Sequence, residues 1–312
     1  MDPLAGLLDG PRARGAFLLR TSWTGPWSLD IQAESPLTVL AAAKGEFWIV
    51  HPGREPICVR PGDLAITHGP DHYITADSPD TEPMIEIQPG QICRSLTGEP
   101  VVETMSLGVR SWGNHLEGDT VMMVGAYHSF GEVGDKLVRT LPPLIHLEPE
   151  EWDGALVPIL CDEAMRDNPG QTAVLDRLLD LVVVTALRAW FDRPEAEPPG
   201  WYRAQADPVV GKAIRLMQNN PAESWTLATV AGEAGVSRSV LARRFSELVG
   251  EPPMQFLTSW RIELAADLLR QPDTTIGAVA DRVGYSSPFA LSTAFKRVRG
   301  ISPQEHRQLV TA

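Results

Sequence analysis

The sequence predicts an α+β chain of two domains. The first is strand-rich and ends in helices; the second is all-α, with two helix-turn-helix units joined by a long helix. Three observations carry this reading. Short apolar or alternating runs broken by Gly, Pro and Asp follow one another from residue 15 to about 127. A helical block then repeats itself near the C-terminal end. Charge divides the same way: residues 201–312 hold 13 Lys+Arg and 10 Asp+Glu, while residues 1–200 hold 14 and 30, net +3 against −16. The boundaries follow as residues 1–191, a linker at 192–207, and residues 208–312.

In the first part, GAFLLR, WSLDIQ, LTVLAAA, EFWIV, PICVR, DLAIT and HYITA read as strands, followed by TMSLGVR and TVMMVGAY. That spacing predicts an antiparallel sandwich or barrel. The texture changes near Leu141, and Glu148–Met165 and Ala173–Phe191 read as helices. In the second, Leu175, Leu178, Leu179, Val182, Val183, Ala186 and Trp190 form one broad stripe. Two readings of that stripe stand: it closes the strand domain, or it meets a second subunit. DRPEAEPPGWYRAQAD, with its acids and prolines, reads as the linker.

In the second part, Asp207 caps a helix with Pro208 in its first turn and Val210, Ala213, Ile214 and Met217 inside; Asn219-Asn220-Pro221 ends it. Thr226–Gly250 then reads as two helices and a tight turn. Thr226 caps the first, Gly235 makes the corner, and Ser237 caps the second, whose inner face is Leu241, Phe245 and Leu248. Its outer face carries Arg238, Ser239, Ala242, Arg243 and Arg244, a pattern suited to a DNA major groove. Thr275–Gly300 is a second copy. Gly284 matches Gly235 at a spacing of 49, while Ser287, Leu291, Phe295 and Gly300 match Ser237, Leu241, Phe245 and Gly250 at 50. The one-residue slip falls in the turn, so both helices keep their phase. Between the copies, Met254–Arg270 reads as a rod with Phe256, Trp260, Leu264, Ala265 and Leu268 inward. At 1.5 Å per residue it spans roughly 25 Å, enough to set two reading helices about one DNA turn (~34 Å) apart.

These residues resemble the DNA-binding domain of the AraC/XylS family over roughly Asp207–Gln308. The similarity lies in WTLATVAGEAGVSRSVLARRF, WRIELAADLLR and VADRVGYSSPFALSTAFKRVRGISPQEHR. The segment Arg60–His72, RPGDLAITHGPDH, resembles the second motif of the cupin barrel, so the strand domain is similar to the cupin-like regulatory domain of one branch. The resemblance implies a sequence-specific transcription regulator that binds promoter DNA, acts on RNA polymerase and answers a small-molecule effector, with a homodimer formed through the first domain. Carried over by position, Ser239, Ala242 and Arg243 face bases, and Arg238 and Arg244 face phosphates. The same face of the second copy holds Ser287, Pro288, Phe289, Ser292 and Thr293, with Lys296 and Arg297 placed for the backbone. None of the first five is a long donor, which departs from family members with Gln or Arg there. Arg243 can pair with guanine O6 and N7, so the first helix is expected to supply most of the base reading.

Other chemistry finds less support. His51, His68 and His72, with Cys93, His115 and His128, invite a metal reading. The paired-histidine motif of cupins is missing, however, and no metal or other cofactor is expected. Trp23, Trp27, Trp48 and Trp112, together with His72, are the candidates for an effector pocket, weighed against tryptophans as plain core. No Ser-His-Asp order, phosphate-binding glycine loop or close acid pair stands out, so catalysis is not expected. There is no apolar run near membrane-spanning length, the start MDPLAGLLDGPRARG lacks the pattern of a signal peptide, and Cys58, Cys93 and Cys161 lie far apart. These suit a cytoplasmic protein. The rival readings are a metal-dependent cupin enzyme with a DNA-binding tail and a helical protein-interaction module.

Overall fold

The computed structural model describes residues 16–127, 131–194, 196, 198–271 and 273–311. The leader reading at the start of the chain and His128 lie outside them. The chain divides into two compact units, one of strands and two helices and one helical.

The strand unit is a sandwich of two sheets. One has seven strands in the order β10 (Ser106–Gly108), β11 (Ser111–Gly113), β1 (Phe17–Trp23), β12 (Thr120–Tyr127), β3 (Leu37–Lys44), β6 (Leu64–Thr67) and β13 (Leu144–Leu147). The other has six: β5 (Ile57–Val59), β4 (Phe47–Val50), β7 (Tyr73–Ala76), β2 (Ser28–Ile31), β8 (Ile85–Gln88) and β9 (Ile92–Ser95). Both sheets keep two edges, so the sandwich, and not a closed barrel, is realised. Alternate residues of each sheet point inward, as the period of two requires. Trp23, Trp27, Leu29, Leu40, Phe47 and Ile49 thereby fill one core. Val121–Tyr127 pairs along the whole of β3, and β1 pairs along the whole of β12, which makes these three strands the spine of the larger sheet.

Two helices complete this unit. The first is Leu156–Ala164, shorter than the span read at 148–165. Its expected first half is a turn: the Glu151 carboxylate accepts from Glu148 N at 2.8 Å, and Trp152 is buried with Nε1 donating to Gly62 O at 3.0 Å. The second is Gln171–Phe191, and Leu175, Leu179, Val182, Val183 and Ala186 of its stripe are buried. Leu179 packs on β12 so closely that a Cβ on Gly125 would stand 2.5 Å from its Cδ1. Leu178 and Trp190 lie at the margin of the stripe, and Val174 and Leu181 on the far side stay exposed.

The helical unit holds α1 (Gly131–Val138), then α4 (Gly200–Arg203) with a short 3-10 turn at Ala204–Ala206, and α5 (Val210–Asn219), taking Leu156–Ala164 and Gln171–Phe191 as α2 and α3. There follow α6 (Leu227–Glu233), α7 (Arg238–Val249), α8 (Pro253–Leu269), α9 (Ile276–Arg282), α10 (Pro288–Arg299) and α11 (Pro303–Thr311). Part of the stretch read as linker is therefore folded: Ala204 is fully buried beside Val210 and Ala213, and Trp201 packs against the same cluster. Polar, proline-rich composition gave no hint of this, because one alanine and one tryptophan do the packing.

The long helix α8 is gripped by two separate clusters. Phe256 and Leu257 join Val230, Leu241 and Phe245 of the first repeat. Ile262, Ala265, Ala266 and Leu269 join Val279, Leu291 and Phe295 of the second. Because the two repeats seize different faces, no single stripe runs its length; Leu264 and Leu268, expected inward, are only partly buried. α1 also packs on α8, with Leu137 and Val138 buried.

Candidate nucleic-acid interface

Each reading helix is built by the same local devices. Thr226 and Thr275 cap the first helices of the repeats by accepting from Thr229 N at 3.2 Å and Ala278 N at 3.1 Å. Ser237 and Ser287 cap α7 and α10, accepting from Val240 N at 3.3 Å and Ala290 N at 3.2 Å. Gly250 and Gly300 end them in the left-handed conformation that favours glycine, at φ 91° and 79°. Leu241 with Phe245, and Leu291 with Phe295, are fully buried, which fixes the rotation of each helix and hence its outward face. Leu248, read as part of the inner face, is instead 36 % exposed. It lies past the cluster, where Val249 takes the partly buried place.

The outward face of α7 presents Arg238, Ser239 and Arg243, all exposed, with Ala242 between them. Ala242, Ser239, Arg238, Ser237 and Leu227 line a shallow notch at its N-terminal end, where the helix dipole favours an anion. Arg243 Nη1 donates to Glu247 at 3.1 Å, with both side chains exposed. Such an i,i+4 pair is worth ~0.3–0.5 kcal/mol, so it is readily exchanged for a base or phosphate.

Arg244 departs from its expected place. Its Nε donates to Asp207 Oδ2 at 2.8 Å, while Asp207 Oδ1 accepts from Val209 N at 3.0 Å and Val210 N at 2.9 Å. Burial opposes the charge on Asp207, but these donors and the Arg244 charge outweigh it and hold the carboxyl below its ordinary value. Arg244 is thus engaged in fastening α7 to the start of α5. Its neighbour in sequence faces outward, a difference of one helical step.

The face of α10 has another chemistry. Phe289 is 82 % exposed, an aromatic ring with no core to cover it. Pro288 opens the helix. The hydroxyls of Ser292 and Thr293 donate inward to Pro288 O at 2.8 Å and Phe289 O at 3.0 Å, leaving acceptor lone pairs outward. Lys296 and Arg297 are exposed in the following turn. This face thus combines apolar and acceptor character over its first turns with positive charge in the turn that follows.

One residue joins the two repeats. Arg261 of α8 donates from Nε to Pro221 O and from Nη2 to Glu223 O, each at 2.7 Å, and its guanidinium lies 5.9 Å from the centre of the Tyr285 ring. It clasps the loop before the first repeat and the corner of the second. No spacing or motif marks this role, since an arginine on a rod helix reads as a solvated charge.

In the strand unit, the residues read as an effector site separate. Trp27 is core, stacked on Trp23 at 5.3 Å; Trp48 stands on the other face of β4 from buried Phe47 and Ile49; His72 is exposed. Of the five candidates, Trp23, Trp27, Trp48, Trp112 and His72, only Trp112 lines the cavity of about 270 Å³ between the sheets. The alternation of inner positions could have separated them, since Trp48 and Ile49 cannot share a face. His68 bonds to Leu141 O at 3.1 Å, and His51 stacks on Tyr73. Among the described residues no three His, Cys, Asp or Glu side chains gather into a metal-holding group, and no helix is long and apolar enough to cross a membrane.

Comparison with known proteins agrees with this architecture. The family model described as Cupin matches residues 2–192, and that described as Helix-turn-helix domain matches residues 230–309. A protein of Streptomyces lividans described as an AraC-like transcription regulator is 33 % identical over 99 % of this chain and 98 % of its own. One of Streptomyces antibioticus, described in the same words, is 32 % identical over 99 % of both. The transcriptional regulator AlkR of Acinetobacter baylyi is 25 % identical over 99 % of both. The chain belongs to the AraC family of DNA-binding transcription regulators, with a cupin-like first domain.

Proposed function

We propose that this chain is a ligand-responsive regulator whose two reading helices divide the work on promoter DNA. The observation that supports it most is the contrast between the two outward faces. α7 presents Arg238 and Arg243 with nothing stronger than a surface ion pair to hold them. α10 presents Phe289 and outward acceptors. On this reading Arg243 discriminates guanine, worth ~1–3 kcal/mol, and Arg238 positions the helix on phosphate. Lys296 and Arg297 add sequence-independent affinity, seen as salt dependence. The strand unit binds an effector, whose differential affinity shifts the population between DNA-binding and idle forms. Pairing of two copies and contact with RNA polymerase in the cytoplasm complete the reading; the exposed Val174 and Leu181 on α3 suit the first of these.

The test is selection of bound fragments from random genomic DNA, followed by competition with Arg243→Ala and Lys296→Ala. Arg243→Ala should erode preference for the selected fragments, while Lys296→Ala should weaken all DNA alike and flatten the salt slope. Equal loss of preference in both would contradict the division.

A further inference from the structure

The cavity between the sheets carries polar atoms that the fold itself leaves unserved. Thr21 Oγ1, Thr75 Oγ1 and Trp112 Nε1 are buried and have no hydrogen-bond partner among the described residues. Their residues are 3 %, 2 % and 7 % exposed, and all three line the cavity. Other buried atoms without partners, Trp23 Nε1 and Ser28 Oγ among them, lie off the lining. A buried polar atom without a partner destabilises the fold, and three around one cavity are a deficit that a bound molecule would remove.

Strand register orders the lining into levels. Thr21 sits opposite both Met122 of β12 and Trp112 of β11, and on the facing sheet Thr75 sits opposite Leu29. This level borders the stacked indoles, since Trp23 meets Trp112 edge-on at 5.3 Å. Two residues along each strand come Leu19 with Val124 and Leu40, and Ile31 with Tyr73 and Ile87. That second level is aliphatic, apart from the Tyr73 hydroxyl, which lies beside Thr67 and Thr38. A further step brings Phe17 with Ala126 and Thr38. The one charged residue of the described lining, Arg110, donates from Nη2 to Thr172 Oγ1 at 3.1 Å.

From this order we infer that the cavity takes a neutral, mainly aliphatic molecule with one acceptor oxygen, a ketone or alcohol, polar end first. Trp112 Nε1 can only donate, so the oxygen must accept. Thr21 and Thr75 can donate or accept, which serves either functional group. A carboxylate would reach this level with no cation to balance it, and a sugar would bury hydroxyls against Leu19, Ile31 and Leu40 without partners. The volume lies just below the ~300–1,000 Å³ usual for ligand pockets, so a short chain fits better than a polycyclic one. This rests on the ligand-responsive reading above and gives that site its chemistry.

Equilibrium dialysis of the full chain against 2-nonanone, nonane and nonanoate tests it, with Thr75→Val and Trp112→Phe beside the unaltered protein. Thr75→Val is nearly isosteric and removes an unserved hydroxyl, so it should melt at or above the parent temperature. The expected result is saturable binding with 2-nonanone tightest, and roughly five- to tenfold weaker ketone binding in either variant with nonane unchanged. Equal affinity for ketone and nonane, or variants that bind the ketone undiminished, would overturn the polar end. No saturable binding of any probe by protein that still prefers its selected DNA would overturn the cavity's ligand class and leave the DNA reading standing. Absence of DNA preference in the same preparations would count against the regulator reading instead.

Discussion

Gly235 and Gly284 occupy the same corner of the two repeats, with φ +76° and +80°, yet their surroundings differ. An alanine at either must adopt the left-handed conformation, at ~1–2 kcal/mol. At Gly235 a new Cβ meets nothing within 4 Å. At Gly284 it would lie 2.7 Å from Pro221 O, 2.8 Å from Ala222 Cα and 2.8 Å from Arg261 Nη2. The loop cannot withdraw freely, because Arg261 holds Pro221 O and Glu223 O at 2.7 Å each. Overpacking of this kind adds ~1–3 kcal/mol. Gly284→Ala should therefore cost about 2–5 kcal/mol and Gly235→Ala about 1–2. Hydrogen exchange on the full chain reads the two repeats separately, which a single melting curve of a two-unit protein does not. Amides of α9 and α10 should lose far more protection in Gly284→Ala than those of α6 and α7 do in Gly235→Ala. Equal losses would mean that the Arg261 clasp does not hold the second corner against the loop.

Asp207 has its carboxyl held low, so its contribution to stability is complete above its unfolded pKa of ~3.9 and is lost as pH falls through the lower folded value. Asp207→Ala should cost about 1–2 kcal/mol at neutral pH and flatten acid unfolding of the helical unit, followed by exchange or fluorescence in that range. Phe289→Ala should leave stability unchanged, since the ring is 82 % exposed. It should cost about fourfold in affinity for each thymine methyl contacted, and uracil in place of thymine should cost the parent protein the same and the variant nothing.

The helical unit was legible because its signals are local. Caps at Thr226, Ser237, Thr275 and Ser287, corners at Gly235 and Gly284, and the inward Leu and Phe pairs are each decided within a few residues. What escaped was decided across distance. Arg244 turns to Asp207, thirty-seven residues away, and Arg261 to Pro221, forty away; neither pairing leaves a mark in spacing. The cavity lining was illegible for a related reason. Bulk suggested Trp27 and Trp48, but the interior level of a strand is set by register, which places Trp112 and the inconspicuous Thr21 and Thr75 on the lining. The early turn at Glu148–Ala155 belongs to the same class, fixed by Trp152 reaching Gly62.

On the reading proposed above, two copies of one unit on a common rod contact successive grooves of the same duplex. Hydroxyl-radical footprinting of a selected fragment would show it. Two protected patches about one helical turn apart on one face of the DNA are predicted, the Arg243→Ala variant fading at bases under the first and the Phe289→Ala variant under the second. A single patch, or protection that neither substitution alters, would contradict it.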